Sequence, residues 1–271
     1  MNCALKVRGL KKCYGNNLVL DGLNFDIEKG ETFALLGANG AGKTTALECI
    51  EGLRTYDSGS IAVKGKMGIQ LQSSSLPAHI KPMEAVRLFS KWNKSEIDST
   101  MLNALDIKSM TTKQYFQLST GQKRRLHLAL ALIGNPDIIF LDEPTAGLDV
   151  AGRVSLHDLI RKLKSQGKTI VLASHDMAEV EALCDRLAIL NNRKFVFCGT
   201  TAELTDKIGK KYLIHIKTQQ GTSTYETDNI EDTLIALLHD LKQKEIRLLD
   251  IKVDRGTLEQ HFIKMARREA E

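Results

Sequence analysis

Three clusters in this chain carry residue types suited to phosphate chemistry. The first is Gly37-Ala38-Asn39-Gly40-Ala41-Gly42-Lys43-Thr44-Thr45, directly after the apolar run Thr32-Phe33-Ala34-Leu35-Leu36. It has the form G-x4-G-K-[ST] between a strand and a helix. Glycines at 37, 40 and 42 let backbone N–H groups converge on an anion. Lys43 brings a compact positive charge to the β/γ-phosphates, the Thr44 hydroxyl suits Mg²⁺, and the phosphates rest on the N-terminus of the helix that follows. The loop Gly37, Asn39, Gly40, Ala41, Gly42, Lys43, Thr44 and Thr45 is therefore expected to bind a nucleoside triphosphate. The second cluster is Ile138-Ile139-Phe140-Leu141-Asp142-Glu143-Pro144, an apolar strand ending in two carboxylates. Beside a phosphate loop, Asp142 is suited to hold hydrated Mg²⁺ and Glu143 to polarise a water attacking the γ-phosphate. The third is Gln117-Leu118-Ser119-Thr120-Gly121-Gln122-Lys123-Arg124-Arg125. Ser119 and Gly121 at a helix start form either a second anion nest or a plain helix cap.

These clusters need a scaffold, and the hydrophobic pattern supplies one. Short strands are expected at Leu5–Arg8, Val19–Leu20, Leu23–Ile27, Thr32–Leu36, Ser60–Val63 and Lys66–Leu71, with a helix from Lys43 to about Gly52. Residues 82–116 have helical spacing and no strand run, which fits a helical insert, with Trp92 expected to be a packing residue. A helix then runs from Ser119 to about Ile133. Beyond it, strands at Ile138–Leu141, Thr169–Ala173 and Arg186–Leu190 alternate with helices at about Ala151–Gln166 and Met177–Cys184. Continuous apolar strands of this kind are buried on both faces of a parallel sheet. Lys194–Cys198 suits one more strand. After about residue 205 the pattern changes to a hairpin (Tyr212–Lys217, Ser223–Thr227), a helix Ile230–Lys242, a strand Leu248–Val253 and a final helix Thr257–Arg268.

Composition narrows the function classes. A net charge of +5, from 38 basic and 33 acidic residues, describes a mixed solvated surface without a nucleic-acid arm. Five scattered cysteines, without a C-x2-C pair, argue against a disulfide framework or zinc site and suit a reducing compartment. They read as small buried or half-buried residues. No apolar h-region follows Met1 and no apolar stretch reaches the length of a membrane span, so any membrane role is expected to come through a partner.

With these motifs in this order, the sequence resembles the nucleotide-binding subunit of an ATP-binding cassette (ABC) transporter over about residues 3–205. Leu118-Ser119-Thr120-Gly121-Gln122 is similar to the family's L-S-G-G-Q signature, Ala146-Gly147-Leu148-Asp149 to its D-loop, and Ala173-Ser174-His175-Asp176 to its switch-histidine region. The resemblance implies an α/β fold of the P-loop NTPase class: an ABC ATPase domain with a mixed sheet core, an antiparallel β subdomain and a helical insert. That domain would span 1–204, with the insert at about 73–134, followed by a small α+β appendage at 205–271. Further roles are implied by the same resemblance. Tyr14 would stack on adenine. Gln72 would sense the γ-phosphate and Mg²⁺, with Gln70 the rival register. His175 would contact the γ-phosphate, and Asp149 would couple two protomers. Ser119, Gly121 and Gln122 would act in trans, and Thr44, Gln72 and Asp142 would serve Mg²⁺. Thr120 replaces the first glycine of the signature pair. Because threonine resists φ > 0, a tuned affinity is expected there.

Leu35–Lys43, Gly68–Ser73 and Thr257–Phe262 are similar to the drug-resistance-like exporter group with ABC-2-type permeases. The implied function is an ATPase that dimerises head-to-tail around two ATPs, as a homodimer or with a paired ABC subunit, and powers a separate integral-membrane permease for export. Such a subunit would be cytoplasmic and peripheral at the inner face of the cell membrane. A soluble ABC ATPase of cofactor or macromolecular assembly is the alternative. No nucleic-acid partner is expected.

Overall fold

The chain opens with two long antiparallel strands, β1 (Cys3–Tyr14) and β2 (Asn17–Glu28), joined at Tyr14↔Asn17. Then come β3 (Thr32–Leu36), α1 (Lys43–Ile50), β4 (Ser58–Val63) and β5 (Met67–Gln70). β4 pairs antiparallel with β1, giving a sheet in the order β2-β1-β4. The sequence pattern suggests shorter strands broken near Gly9 and Gly22. Instead the strands run through, and register shifts such as the one between Val7 and Leu10 take up the irregularity. Both glycines have positive φ, at 61° and 73°. A bulge disrupts the alternation of side chains without ending the pairing.

These features belong to a computed structural model that describes residues 3–71, 75–208 and 212–255. Two compact units, Met1–Cys198 and Gly199–Glu271, divide the chain.

The helical insert contains α2 (Pro82–Trp92), α3 (Ser99–Ala104), 3-10 turns at Ile107–Met110 and Tyr115–Gln117, and α4 (Thr120–Leu132). α3 is shorter than its apolar spacing suggests. Asp98 caps it, accepting from the backbone N–H groups of Thr100 and Met101. Trp92 is not a packing residue: it is 79% exposed. It ends α2 two residues past Ser90, the last buried side chain of that helix.

The remaining elements of the first unit are β6 (Ile138–Asp142), α5 (Val150–Ser165), β7 (Thr169–Ser174), α6 (Met177–Leu183), β8 (Arg186–Asn191) and β9 (Lys194–Thr200). They complete a six-stranded sheet in the order β5-β6-β7-β3-β8-β9. β5, β6, β7, β3 and β8 pair in parallel. Every residue of β3, β6 and β7 is buried, as their unbroken apolar runs require. One core joins the two sheets, with Leu5, Ile27, Phe33, Leu47, Phe140 and Val171 among its members.

Strand order decides where chemistry can occur. β7 lies between β6 and β3, and the register sets Leu36 beside Ser174 and Asp142 beside Ala173. The three loops that follow these strands therefore leave the sheet at one level, at its carboxyl edge, where open α/β sheets bind ligands.

The second unit, taken by itself, holds α7 (Thr201–Ile208), β10 (Tyr212–Thr218), β11 (Gly221–Thr227), α8 (Ile230–Gln243) and β12 (Leu248–Arg255). Its antiparallel sheet has the order β11-β10-β12. α7 is absent from the sequence expectation, although its start has a legible capping box. Glu203 N–H donates to Thr200 Oγ1 and Thr200 N–H to Glu203 Oε2. The expected final helix Thr257–Arg268 lies outside the described residues. Cys49 is buried and Cys3, Cys13 and Cys184 are half-buried, but Cys198 is exposed, against the expectation for it.

Candidate active site

The loop after β3 enters α1 without a side-chain cap, because its N-cap is Gly42 at φ 106°. The first N–H groups of α1 thus have no side-chain acceptor and point out of the helix end. Two glycines are required sterically. A Cβ at Gly37 would lie 2.7 Å from the Leu190 carbonyl, and one at Gly42 would meet Leu20 at 3.0 Å, on top of its left-handed backbone. Lys43 is buried and folds back over the loop, donating to the carbonyls of Gly37 at 2.8 Å and Ala38 at 3.3 Å.

The ends of β6 and β7 meet this lysine. Glu143 follows Asp142 with φ 48°, a left-handed conformation that costs energy in a residue other than glycine. Its carboxylate lies between two partners: Lys43 Nζ stands 3.4 Å from Oε1, and His175 Nδ1 stands 2.7 Å from Oε2. Glu143 is buried, whereas His175 is exposed. Lys43, Glu143 and His175, separated by up to 132 positions in sequence, therefore form one contact chain at the carboxyl edge.

Asp142 is buried too. Burial pushes its carboxyl up, an effect opposed by a hydrogen bond with the Thr44 side chain. Its Oδ1 has no hydrogen-bond partner. A buried, orphaned carboxylate oxygen beside a hydroxyl is a hard-oxygen donor set that fits Mg²⁺. Among the described residues no group of three His, Cys, Asp or Glu side chains could hold a metal, so an ion here would draw most of its ligands from phosphate and water. Gln72 lies outside the described residues. Gln70, the rival register, ends β5; it is 3% exposed and its Oε1 has no partner.

Tyr14 ends β1 with 42% of its surface exposed, and Lys12 Nζ and Arg54 Cζ each lie 5.3 Å from its ring centroid. Arg54 in turn binds Glu48 of α1 at 2.6 Å, which ties the aromatic ring to the helix that begins at Lys43.

Ser119 and Gln122 build a capping box at the start of α4. Gln122 N–H donates to Ser119 Oγ at 3.2 Å, and Ser119 N–H donates to Gln122 Oε1 at 3.1 Å. Ser119 is exposed. Thr120 is the first residue of this helix and is not among the residues with positive φ, so the backbone strain expected for it does not arise. Its methyl group instead lies against the D-loop: a Cβ on Gly147 would be 3.1 Å from Thr120 Cγ2. Asp149 caps α5 by accepting from Gly152 N–H at 2.8 Å. A cavity of about 610 Å³ opens between these motifs, lined by Gln70, Ser119, Gly121, Arg124, Pro144 and Leu148 among others.

Residues 20–146 match the family model described as ABC transporter. An ABC transporter ATP-binding protein of Methanocaldococcus jannaschii is 35% identical, over 97% of this chain and 99% of its own. The chain belongs to the ATP-binding proteins of ABC transporters. It is also similar to a Nod factor export ATP-binding protein of Rhizobium etli, 32% identical over 99% of this chain and 95% of that one. The linearmycin resistance ATP-binding protein of Bacillus subtilis is 28% identical over 97% and 98% respectively. Among solved structures, an inward-facing ABC transporter of metal-chelate type superposes with a TM-score of 0.68 at 25% identity, over 86% of this chain and all of that one. As a member of this family the chain binds and hydrolyses ATP and pairs with membrane components. Among the described residues no helix is long and apolar enough to cross a membrane.

Two neighbours of the ABC site are absent from the sequence reading. Arg124 reaches the Asp142 carbonyl at 3.4 Å, and burial pulls its guanidinium pKa down. In the sequence it is one of three consecutive basic residues with nothing to distinguish it. Glu51, at the end of α1, is buried with Oε2 unpartnered, and burial beside Asp142 and Glu48 lifts its carboxyl to about 8. Its only sequence signal is an acid directly after Ile50 in an apolar helix end.

Proposed function

We propose that this ABC subunit is an export motor. Two copies, or one copy and a paired ABC subunit, close head-to-tail on two ATP–Mg²⁺ and drive a separate ABC-2-type permease at the inner face of the cell membrane. The observation that carries the reading is the unequal finish of the two half-sites. Lys43 and Glu143 are buried, and Glu143 bonds both Lys43 and His175, whereas the α4 N-terminus at Ser119 is exposed. A second protomer's nucleotide would complete it. The name of the Nod factor export relative supports export.

In this mechanism the loop N–H groups and Lys43 bind the β/γ-phosphates, and Tyr14 stacks on adenine. Thr44 and Asp142 would hold Mg²⁺, with Gln72 or Gln70 nearby; the ion supplies charge neutralisation on the phosphates. Lys43 is shared between Glu143 and the phosphates, so nucleotide entry competes with the 3.4 Å contact and frees Glu143 to take the proton of the attacking water. His175 orients Glu143 and donates to the γ-phosphate. Ser119 and Gly121 contact that phosphate in trans, Gln122 supports Ser119, and Asp149 couples the protomers. Loss of the γ-phosphate removes the charge that both chains share, and the dimer opens. The helical insert offers Leu88, Trp92 and Phe116, all exposed, as apolar contacts for a permease.

The test is co-purification from native membranes in mild detergent. A polytopic membrane protein in stoichiometric amount is the expected result. Recovery with soluble macromolecules alone would overturn the transporter reading and leave the ATPase chemistry standing.

A further inference from the structure

Beside the candidate site, a second polar cluster is built around a buried carboxylate and has no assigned role. Glu179, the third residue of α6, is 2% exposed. Its Oε2 accepts from Ser174 Oγ at 2.6 Å, and the Thr145 side chain lies near enough to favour its charged form. Ser174 Oγ accepts in turn from Asp176 N–H at 3.0 Å. His157 of α5 places Nε2 3.9 Å from Glu179 Oε1, and neither atom has a hydrogen-bond partner. Burial raises the carboxyl of Glu179, and the two hydroxyls oppose the rise.

An enclosed carboxylate is costly unless it is tied to donors, and here the donors are informative. Ser174 directly precedes His175. Thr145 lies two residues after Glu143 and begins the turn leading to Asp149. The two hydroxyls come from different segments, the end of β7 and the turn after β6, and both lie near the Glu179 carboxyl group. Glu143 and His175 touch, while Thr145 and Ser174 share the Glu179 carboxyl group. A displacement of about 1 Å between the loops would disturb the 2.7 Å contact of His175 with Glu143, and errors of that size cost up to ~100-fold in turnover.

We propose that Glu179 is a positioning residue: one buried carboxylate that holds the His175 loop in register with the segment from Glu143 to Asp149. This rests on the role proposed for His175. Glu179 does not reach the reacting atoms; it acts through Ser174 and Thr145.

The experiment is steady-state ATPase activity, with nucleotide affinity measured separately, on the full chain. The variants are Glu179→Ala, Glu179→Gln, Ser174→Ala and Thr145→Val, and Ser174→Ala is repeated in a His175→Ala background. Glu179→Ala is expected to lower kcat by about 10-fold or more while ATP affinity stays within about twofold. Glu179→Gln keeps an acceptor oxygen and is expected to recover most of that loss. If Glu179→Ala fails to fold, Ser174→Ala decides, since it removes one oxygen atom. It is expected to lower kcat several-fold alone and to add nothing once His175 is gone. An equal cost of Ser174→Ala in both backgrounds overturns the inference alone. Undiminished turnover in His175→Ala overturns both the inference and the role of His175.

Discussion

The two halves of the candidate site differ in how far one chain finishes them. On the phosphate-loop side, Lys43, Asp142 and Glu143 are buried, and Glu143 bonds both Lys43 and His175. On the signature side, Ser119 is exposed and its side chain is bonded only within its own capping box. The first half is preorganised by a parallel sheet. The second is a helix end whose remaining donors face outward. On the proposed reading, such a protein has charge chemistry ready in one copy and a surface completed by another.

The strongest way to break this contrast is at Glu143. Glu143→Gln is expected to lower ATP turnover by about 100- to 1,000-fold while retaining nucleotide binding. An ATP-dependent dimer should then accumulate in size-exclusion chromatography with light scattering. Turnover near wild type would remove Glu143 from the chemistry. Lys43→Ala should weaken nucleotide binding by about 100-fold, since charge-assisted bonds to two phosphates are lost. Fluorescent nucleotide titration reads this directly, and unchanged affinity would refute the phosphate-loop assignment.

Ser119→Ala probes the other half. The affinity of a single protomer for ATP should hold, while ATP-dependent dimerisation of the Glu143→Gln protein weakens by about 10-fold. Loss of the cap would also cost α4 about 1 kcal/mol. Weakened binding of ATP by the single protomer would place Ser119 on the wrong half.

Glu51 sharpens the electrostatic side of the comparison. Its folded carboxyl titrates at about 8, against an ordinary value of 4.5. The fold therefore favours the protonated form. The stability this group contributes is complete below about pH 4.5 and is lost as pH rises toward 8. Glu51→Gln should leave the protein unchanged at pH 4.5 and stabilise it by roughly 1–3 kcal/mol at pH 8. Denaturant melts at the two pH values check the sign. The smallest effect is expected at Thr120. Thr120→Gly removes the methyl group from Gly147 and adds a glycine to the first turn of α4, so a loss of about 1 kcal/mol is expected in thermal melts. A larger loss would mean that the D-loop leans on this contact more than the exposed position of Thr120 suggests.

The local motifs were legible because each is a short segment whose chemistry depends on immediate neighbours. The glycines of the phosphate loop, the apolar strand before Asp142 and the Ser119 cap are set by sterics and hydrogen bonding within a few residues. The reading failed where distant partners decide. Strands β1 and β2 run through Gly9 and Gly22 because their pairing absorbs bulges. Trp92 is exposed because α2 outruns the core beneath it. Glu51 and Glu179 look like ordinary surface acids until the fold encloses them.

Neighbouring residues alone set the phosphate loop, the paired acids at the end of an apolar strand, the capped helix at Ser119 and the ABC family that these imply. That Glu143 meets both Lys43 and His175 follows from the folded chain alone. These contacts depend on strand order, with β7 between β6 and β3, and on a register that brings three loops to one level. The fold likewise decides that one buried carboxylate, Glu179, lies near the hydroxyls of both segments. The physical reason is that pairing between distant strands is set by packing of the whole sheet, which no local segment encodes.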